Sequence, residues 1–312
     1  MKYRTLGKTN LRVSVVGLGT WQFGGEWGEP PAADDVAAMF RRGQELGVNL
    51  IDTAECYGDH RSEALIGEAI EQLGNRNRWI IASKFGHKFH GNFDRTEPRS
   101  PADVREQTEA SLKALRTDVI DLHQYHSWGD DKFFDEDVVA ELHKLRDEGK
   151  VRHLANSVGS NANVKQVAAS EKMELEAMQI IYNRLDTTPE QEVFDVCREQ
   201  NLGVLARVPL ASGYLSGKYK PGHQFDENEV RGRHGQAKSD EKLREAEQVR
   251  VDEYEKQVDA STVSMASWAL AWCLKHPAVT CVIPGVKNVG QVESNAAAAD
   301  LAIVPDDHPQ AA

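Results

Sequence analysis

The chain lacks long apolar runs and any excess of basic residues. Its 312 residues carry a formal net charge of −12 at pH 7, so it offers no general basic surface to nucleic acid or anionic lipid. No segment approaches the roughly 18 uninterrupted apolar residues of a membrane-spanning helix, and residues 1–17 contain no apolar stretch of signal-peptide length. These absences predict a cytoplasmic protein without a nucleic-acid or membrane partner.

Cysteine is also scarce. The four cysteines, Cys56, Cys197, Cys273 and Cys281, form no CxxC motif and no other metal-ligand spacing. A chain of this length with 40% hydrophobic residues can bury a core that needs neither a disulfide bond nor a metal ion. We therefore expect reduced thiols and no bound metal.

The glycine motif of open dinucleotide-binding sheets is missing as well. The first apolar segment ends in GLGTWQFGG (17–25), which does not have the GxGxxG spacing. Apolar strand-like segments instead alternate with amphipathic helical ones along the chain. The predicted strands are 13–19, 49–54, 79–85, 119–126, 152–158, 176–182, 203–210 and 280–286, and the helices are 34–47, 62–74, 101–116, 135–149, 190–200 and 261–276.

About eight such units predict a (β/α)8 TIM barrel that occupies residues 1–312 as one domain. Two segments lie outside the repeat. Residues 1–12 resemble a β-hairpin with its turn near 7–10, placed to plug one barrel end. Residues 217–242 are polar and rich in glycine, and we expect them to form an extended loop after the seventh strand, of the kind that is often functional.

Polar side chains follow three successive predicted strands at the barrel rim, where catalytic residues of such barrels lie. They are Asp52 with Tyr57 just beyond it, Lys84, and His126. A buried Asp52 needs a cation, and Lys84 is the candidate. The lysine charge is expected to lower the pKa of Tyr57 and make it a proton donor, while His126 polarises a carbonyl oxygen. Such a site still needs a hydride, which implies a nicotinamide cofactor.

These residues occur within motifs that resemble the aldo-keto reductases over essentially the whole chain. The motifs are GLGTW (17–21), IDTAECYG (51–58), IASKFG (81–86), IDLHQYH (120–126), IYNRLD (181–186), PLASGYLSGKY (209–219) and VIPGVKNVGQVESN (282–295). The resemblance implies carbonyl reduction by a catalytic tetrad of Asp52, Tyr57, Lys84 and His126, with Tyr57 as the general acid.

The resemblance also implies an NADPH molecule that lies extended across the rim. Its implied contacts are Gly19, Thr20, Trp21 and Asp52 near the nicotinamide, Ser157 and Gln179 at the carboxamide, Arg207 stacked on the ring, Pro209, Leu210, Ser212 and Leu215 along the pyrophosphate, and Gly285, Lys287, Gln291 and Asn295 around the adenosine. Three positions depart from the usual pattern: Ser157 is followed by Val158 rather than asparagine, Arg207 replaces an aromatic residue, and Gln291 replaces an arginine. NADP(H) is favoured through Lys287, and NAD(H) stays an alternative.

The predicted substrate pocket is aromatic and consists of Trp21, Trp27, Phe85 and Trp128. Trp21 and Trp128 have the alternative role of covering the barrel mouth. Two other functions compete with the reductase: a lyase that forms a Schiff base through Lys84, and a cofactor-binding regulatory protein similar to a channel subunit, with weak reductase activity. The sequence predicts a small carbonyl substrate without defining it further, and it leaves the oligomeric state open.

Overall fold

The computed structural model describes residues 1–91, 94–233 and 235–312. The strands in chain order are β1 (Tyr3–Thr5), β2 (Arg12–Ser14), β3 (Leu18–Gly19), β4 (Leu50–Asp52), β5 (Ile80–Phe85), β6 (Lys88–Gly91), β7 (Asp94–Thr96), β8 (Ile120–His126), β9 (Val151–Ser157), β10 (Ala177–Ile181), β11 (Gly203–Arg207) and β12 (Cys281–Val282).

Helices alternate with the barrel strands, and six of them, at 33–45, 61–73, 101–114, 136–147, 193–199 and 265–274, correspond to predicted helices. The helices in chain order are α1 (Ala33–Glu45), α2 (Arg61–Leu73), α3 (Pro101–Ala114), α4 (Asp130–Phe133), α5 (Glu136–Asp147), α6 (Val164–Ala168), α7 (Val193–Glu199), α8 (Val230–Arg233), α9 (Gln236–Val249), α10 (Glu255–Gln257), α11 (Met265–Leu274) and α12 (Val289–Ala296). Helix α11 begins later than predicted because Ser264 caps it, its side chain accepting a hydrogen bond from the Ser267 amide. Among the described residues, no helix has both the length and the apolar character that crossing a membrane requires.

Eight strands form one parallel sheet in the order β12–β11–β10–β9–β8–β5–β4–β3. Its two edges meet, because Val16 pairs with Val282 and Gly19 with Gly285 in parallel bridges. Hydrogen bonds from the Gly17 amide to the Val282 carbonyl (2.9 Å) and from the Gly19 amide to the Pro284 carbonyl (2.9 Å) close the ring. The predicted (β/α)8 barrel is confirmed. The organisation of residues 1–312 as one domain stays a prediction.

Alternating side chains divide the barrel into an inner and an outer layer. The inner cluster contains small and branched residues of successive strands, such as Leu50, Ala82, Leu122 and Leu205. The outward residues pack beneath the helices in two larger clusters. The predicted apolar face of α1 is part of this outer layer. The inner layer leaves the carboxyl ends of the strands free for polar groups, and these ends carry the site.

The predicted N-terminal hairpin is present and closes the amino end of the barrel. Strands β1 and β2 pair in antiparallel fashion, and Leu6 and Val13 belong to the same cluster as the inner barrel residues. Gly7 has a φ of +52°, and a Cβ there would lie 2.1 Å from the backbone nitrogen of Gly203. The turn therefore needs glycine, because the hairpin backbone presses directly on β11.

We expect Leu6→Ala to lower the free energy of unfolding by about 2 to 5 kcal/mol. The substitution leaves a cavity where the fully buried Leu6 side chain fills the amino end of the barrel. Urea unfolding followed by circular dichroism measures the change. Val251→Ala is the control, since Val251 is 44% exposed. Equal midpoints for the two variants would contradict the role of Leu6 as a plug.

The chain after two of the barrel strands contains secondary structure that was not predicted. After β5 the chain forms the β6–β7 hairpin, which was not predicted. Residues 217–242 are not simply an extended loop, because they contain α8 and the start of α9. Leu243, Ala246 and Val249 give α9 an apolar face that packs on the chain after β11, and this tertiary contact stabilises a helix in a polar sequence. His234, which belongs to this predicted loop, lies outside the described residues.

Candidate active site

A cavity of about 480 Å³ opens at the carboxyl ends of the barrel strands. Most of the site residues predicted from the sequence line it. They are Gly19, Thr20, Trp21, Trp27, Asp52, Tyr57, His126, Gln179, Arg207, Pro209, Leu210, Ser212, Gly285, Lys287, Gln291 and Asn295. Lys84 lies directly behind this wall and is almost fully buried.

Lys84 connects Asp52 to Tyr57. Its ammonium group donates to Asp52 Oδ1 (2.7 Å), to the Thr53 carbonyl (2.7 Å) and to the Tyr57 hydroxyl oxygen (3.1 Å). A lysine ammonium has three hydrogens, and these bonds use all of them. Because the Tyr57 oxygen accepts from Lys84, its own hydrogen is free to point into the cavity. This is the arrangement of a phenol that donates a proton to a ligand there.

The second oxygen of Asp52 is held by side-chain amides. Asp52 Oδ2 accepts from Gln179 Nε2 (2.6 Å) and Gln124 Nε2 (3.2 Å). Gln124 was not predicted as a site residue. It lies two residues before His126 on β8, so both side chains point to the same inward face of the strand. The buried carboxylate is therefore satisfied on both oxygens, which makes the ion pair with Lys84 rigid.

The pKa of Tyr57 differs from its predicted direction. Burial raises the pKa of Tyr57 to about 12, because desolvation outweighs the opposing charge of Lys84. The predicted lowering was therefore wrong, and the phenol stays protonated at neutral pH. Burial alone would lower the pKa of Lys84, but Asp52 and then Tyr57 outweigh it and raise that pKa above its ordinary value. A charged Lys84 whose three hydrogens are all hydrogen-bonded is a poor amine nucleophile, which argues against the Schiff-base alternative.

His126 faces Tyr57 across the end of the cavity. The two rings are nearly perpendicular, with centroids 6.1 Å apart. Burial and then the positive charge of Lys84 lower the pKa of His126 well below its ordinary value, so the imidazole is neutral. Its Nδ1 lies 3.6 Å from the Cys56 sulfur. If the thiol donates to Nδ1, then Nε2 carries the ring proton as a hydrogen-bond donor. No sequence pattern pointed to this role of Cys56.

Two of the four predicted pocket aromatics are in the wrong place. Trp21 and Trp27 line the cavity and contact each other edge to face, with their ring centroids 5.2 Å apart. Phe85 and Trp128 are each 1% exposed and do not line the cavity. They pack together beneath the helices, with their ring centroids 5.6 Å apart. Phe85 follows Lys84 on β5, and since Lys84 points inward, Phe85 must point outward.

Two of the predicted cofactor contacts also lie behind the cavity wall. Ser157 is buried and donates to Gln179 Oε1 (3.3 Å), so it supports Gln179 from below. Leu215 is fully buried in the cluster that packs against α9 and α11, and its amide bonds to the Leu210 carbonyl. The chain bends at Ser212 and Gly213, which have positive φ values, and this bend turns Leu215 toward the core.

Of the cavity residues that were not predicted, two are charged side chains that distant elements bring in. Arg95 comes from β7 of the unpredicted hairpin and pairs with Glu26 (2.7 Å). Arg231 comes from α8 and pairs with Glu229, with its guanidinium 5.7 Å from the Trp27 ring and 4.7 Å from the Tyr219 ring. The sequence signal that could have indicated these two arginines is the length of the segments that follow the predicted barrel strands. Such loops build the sites of this fold.

Comparison with known proteins gives a consistent assignment. The sequence profile of the Aldo/keto reductase family matches residues 15–311. Aldo-keto reductase YhdN from Bacillus subtilis is 29% identical over 304 residues, which is 94% of this chain and 87% of that protein. The holo form of aldo-keto reductase AKR11C1 from Bacillus halodurans has a TM-score of 0.80 and 27% identity, and the match covers 99% of this chain and 94% of that one.

A third similar structure is that of an aldo/keto reductase from Klebsiella pneumoniae in complex with NADP and acetate. It is 25% identical with a TM-score of 0.72, and the match covers 96% of this chain and 91% of that one. Fold, buried site and sequence profile thus agree over nearly the full length, and the chain belongs to the aldo/keto reductase family of NAD(P)H-dependent oxidoreductases.

Proposed function

We propose that this protein reduces aldehyde and ketone carbonyls to alcohols, with NADP(H) as cofactor and Tyr57 as the proton donor. The observation that carries the proposal is the set of three hydrogen bonds from Lys84. They fix a protonated phenol so that its hydrogen is free to point into the cavity at the barrel rim.

In this mechanism the residues of the chain orient and protonate the substrate. His126 donates a hydrogen bond to the carbonyl oxygen and holds it near Tyr57. The bound cofactor supplies the hydride that the protein cannot. As negative charge develops on the oxygen, Tyr57 transfers its proton, and the adjacent Lys84 ammonium stabilises the phenolate that remains. Asp52 keeps the ammonium in position throughout.

Basic residues of the cavity fit an anionic cofactor. Lys218, Arg231 and Lys287 all line the cavity and lie close enough to one another to interact electrostatically. Lys287 donates to the Trp27 carbonyl, and of the three only Arg231 has a carboxylate partner, Glu229, among the described residues. Cationic donors in a half-buried cleft suit phosphate groups, including the ribose phosphate that distinguishes NADP from NAD. The NADP complex of the similar Klebsiella protein supports the same cofactor.

The test of the proposed function is oxidation of NADPH, followed by absorbance with a broad panel of aldehydes and ketones and repeated with NADH. We expect turnover with NADPH on several members of the panel. Tight NADPH binding without reduction of any member would contradict the proposal and favour the regulatory, channel-subunit-like alternative.

Cofactor preference gives a separate prediction. We expect Lys287→Met to weaken NADPH binding about tenfold and NADH binding much less, because the lost charge faces the additional phosphate. Quenching of tryptophan fluorescence measures both dissociation constants, since Trp21 and Trp27 line the cavity. The control is Lys275→Met, because Lys275 is exposed at the end of α11. Equal weakening for both cofactors would remove Lys287 from phosphate recognition.

A further inference from the structure

The reactive end of the cavity carries more positive than negative charge. Two of its cations are balanced, since Lys84 pairs with Asp52 (2.7 Å) and Arg95 pairs with Glu26 (2.7 Å). Arg207 donates to the Val158 carbonyl (2.9 Å) and, within the described ranges, has no carboxylate at ion-pair distance. Glu55 also has a carboxylate oxygen within 4.8 Å of a His126 ring nitrogen, but burial raises the pKa of Glu55 to about 8, so this group is mostly neutral near pH 7. One positive charge is therefore unbalanced beside Tyr57 in a chain whose net charge is −12.

The cavity wall contributes almost no negative charge of its own. Among the described residues that line it, Asp52 is the only carboxylate, and Lys84 and two amides already occupy it. Both Arg95 and Arg207 lie close enough to His126 to act on it. After burial and Lys84, their charges contribute to the lowered pKa of that imidazole. An anionic group on a ligand would find attraction here and little repulsion.

Arg95 is the better placed of the two arginines to bind such a group. Its side chain is 24% exposed and lines the cavity, while Glu26 holds its Nη2 from behind. Within the described part of the chain its Nε is buried without a hydrogen-bond partner, and the Phe89 ring lies 5.9 Å from the guanidinium carbon. A guanidinium held in this way is preorganised, and its planar donors match the two oxygens of a carboxylate.

This inference rests on the proposed carbonyl reduction and defines its substrate class. We propose that the preferred substrates are short aldehydes or ketones that carry a carboxylate near the reacting carbonyl, and that Arg95 binds this carboxylate. The carbonyl carbon accepts a hydride, with its two electrons, from NADPH, and the carbonyl oxygen accepts the Tyr57 proton. The products are the hydroxy acid and NADP⁺. The carboxylate does not react, and Tyr57 regains its proton from water.

Matched acids and esters test the proposal. The pairs are 4-oxobutanoate with its methyl ester and 2-carboxybenzaldehyde with its methyl ester, each reduced with NADPH at low salt. We expect kcat/KM for each acid to exceed that for its ester by about 10- to 100-fold, the range expected for a hydrogen bond to a charged group. Added salt should lower the value for the acids more than for the esters.

Variants in one loop assign the effect to a residue. We expect Arg95→Met to reduce the acid-to-ester ratio to about 1, and Arg95→Lys to keep part of it, because lysine retains the charge without the planar fork. Arg99→Met is the matched control and should keep the full ratio. Arg99 follows Arg95 closely, pairs with Glu97 (3.0 Å) and lies over Trp128 rather than in the cavity.

The outcomes separate this inference from the proposed function. Equal reduction of acids and esters by the unmodified protein would overturn the substrate class and leave carbonyl reduction standing. A preference for acids that survives in both Arg95 variants would overturn the role of Arg95. If the protein reduces neither the acids, the esters nor any other carbonyl, the proposed function fails, and this inference fails with it.

Discussion

Tyr57→Phe is expected to lower kcat/KM for carbonyl reduction by about 1,000-fold, within the range for loss of a general acid. The substitution removes the hydroxyl that accepts a hydrogen bond from Lys84 and presents a proton to the cavity. The aromatic ring is retained, so its stacking with Trp21 at 5.9 Å should persist. Cofactor affinity, measured by fluorescence quenching, should therefore change little.

The matched control is Tyr125→Phe. Tyr125 is also a buried tyrosine near the end of a barrel strand, but no described residue hydrogen-bonds to its hydroxyl, and its ring packs against Phe85 and Trp128 outside the cavity. Its loss should leave turnover unchanged. Full activity of Tyr57→Phe, measured under the same conditions, would refute the assignment of Tyr57 as the acid.

Lys84→Met has the second largest expected effect and acts on both activity and stability. Turnover should fall by about 100- to 1,000-fold, because the phenolate formed at Tyr57 loses the adjacent charge. The free energy of unfolding should fall by about 3 to 5 kcal/mol, because Asp52 is left buried without its counter-ion. Urea unfolding and steady-state kinetics measure the two effects.

A double variant separates the two roles of Lys84. In Asp52→Asn combined with Lys84→Met the buried charge is absent, so much of the lost stability should return. Activity should not return, because the phenolate still lacks a stabilising cation. Recovery of turnover together with stability would mean that Lys84 is only half of a structural ion pair.

Most of the barrel could be predicted from the sequence because its signals are local. Each strand is a short apolar run, each helix has an apolar face, and the residue that ends a parallel strand lies at the rim. Phe85 shows that more could have been inferred, since its outward orientation follows by alternation from the inward orientation of Lys84. Trp128 is different, because it follows Ser127, whose positive φ of 57° turns the chain beyond the strand.

Other features depend on residues that are distant in sequence. Arg95 reaches the cavity through a short hairpin, and it is held by Glu26, which lies 69 residues away. The polar sequence of α9 gives only a weak helical signal, and its packing against the chain after β11 stabilises the helix. The position of Leu215 depends on the bend at Ser212 and Gly213. Neither periodicity nor motif spacing contains this information.

By itself, the sequence determined the barrel, the order of its strands and the rim positions of Asp52, Tyr57, Lys84 and His126. Each of these follows from a few neighbouring residues. Only the tertiary structure decided that Tyr57 stays protonated, with a pKa of about 12, and that unbalanced positive charge lies beside it. Burial and electrostatic interaction are sums over every group that surrounds an atom, and most of those groups come from other parts of the chain.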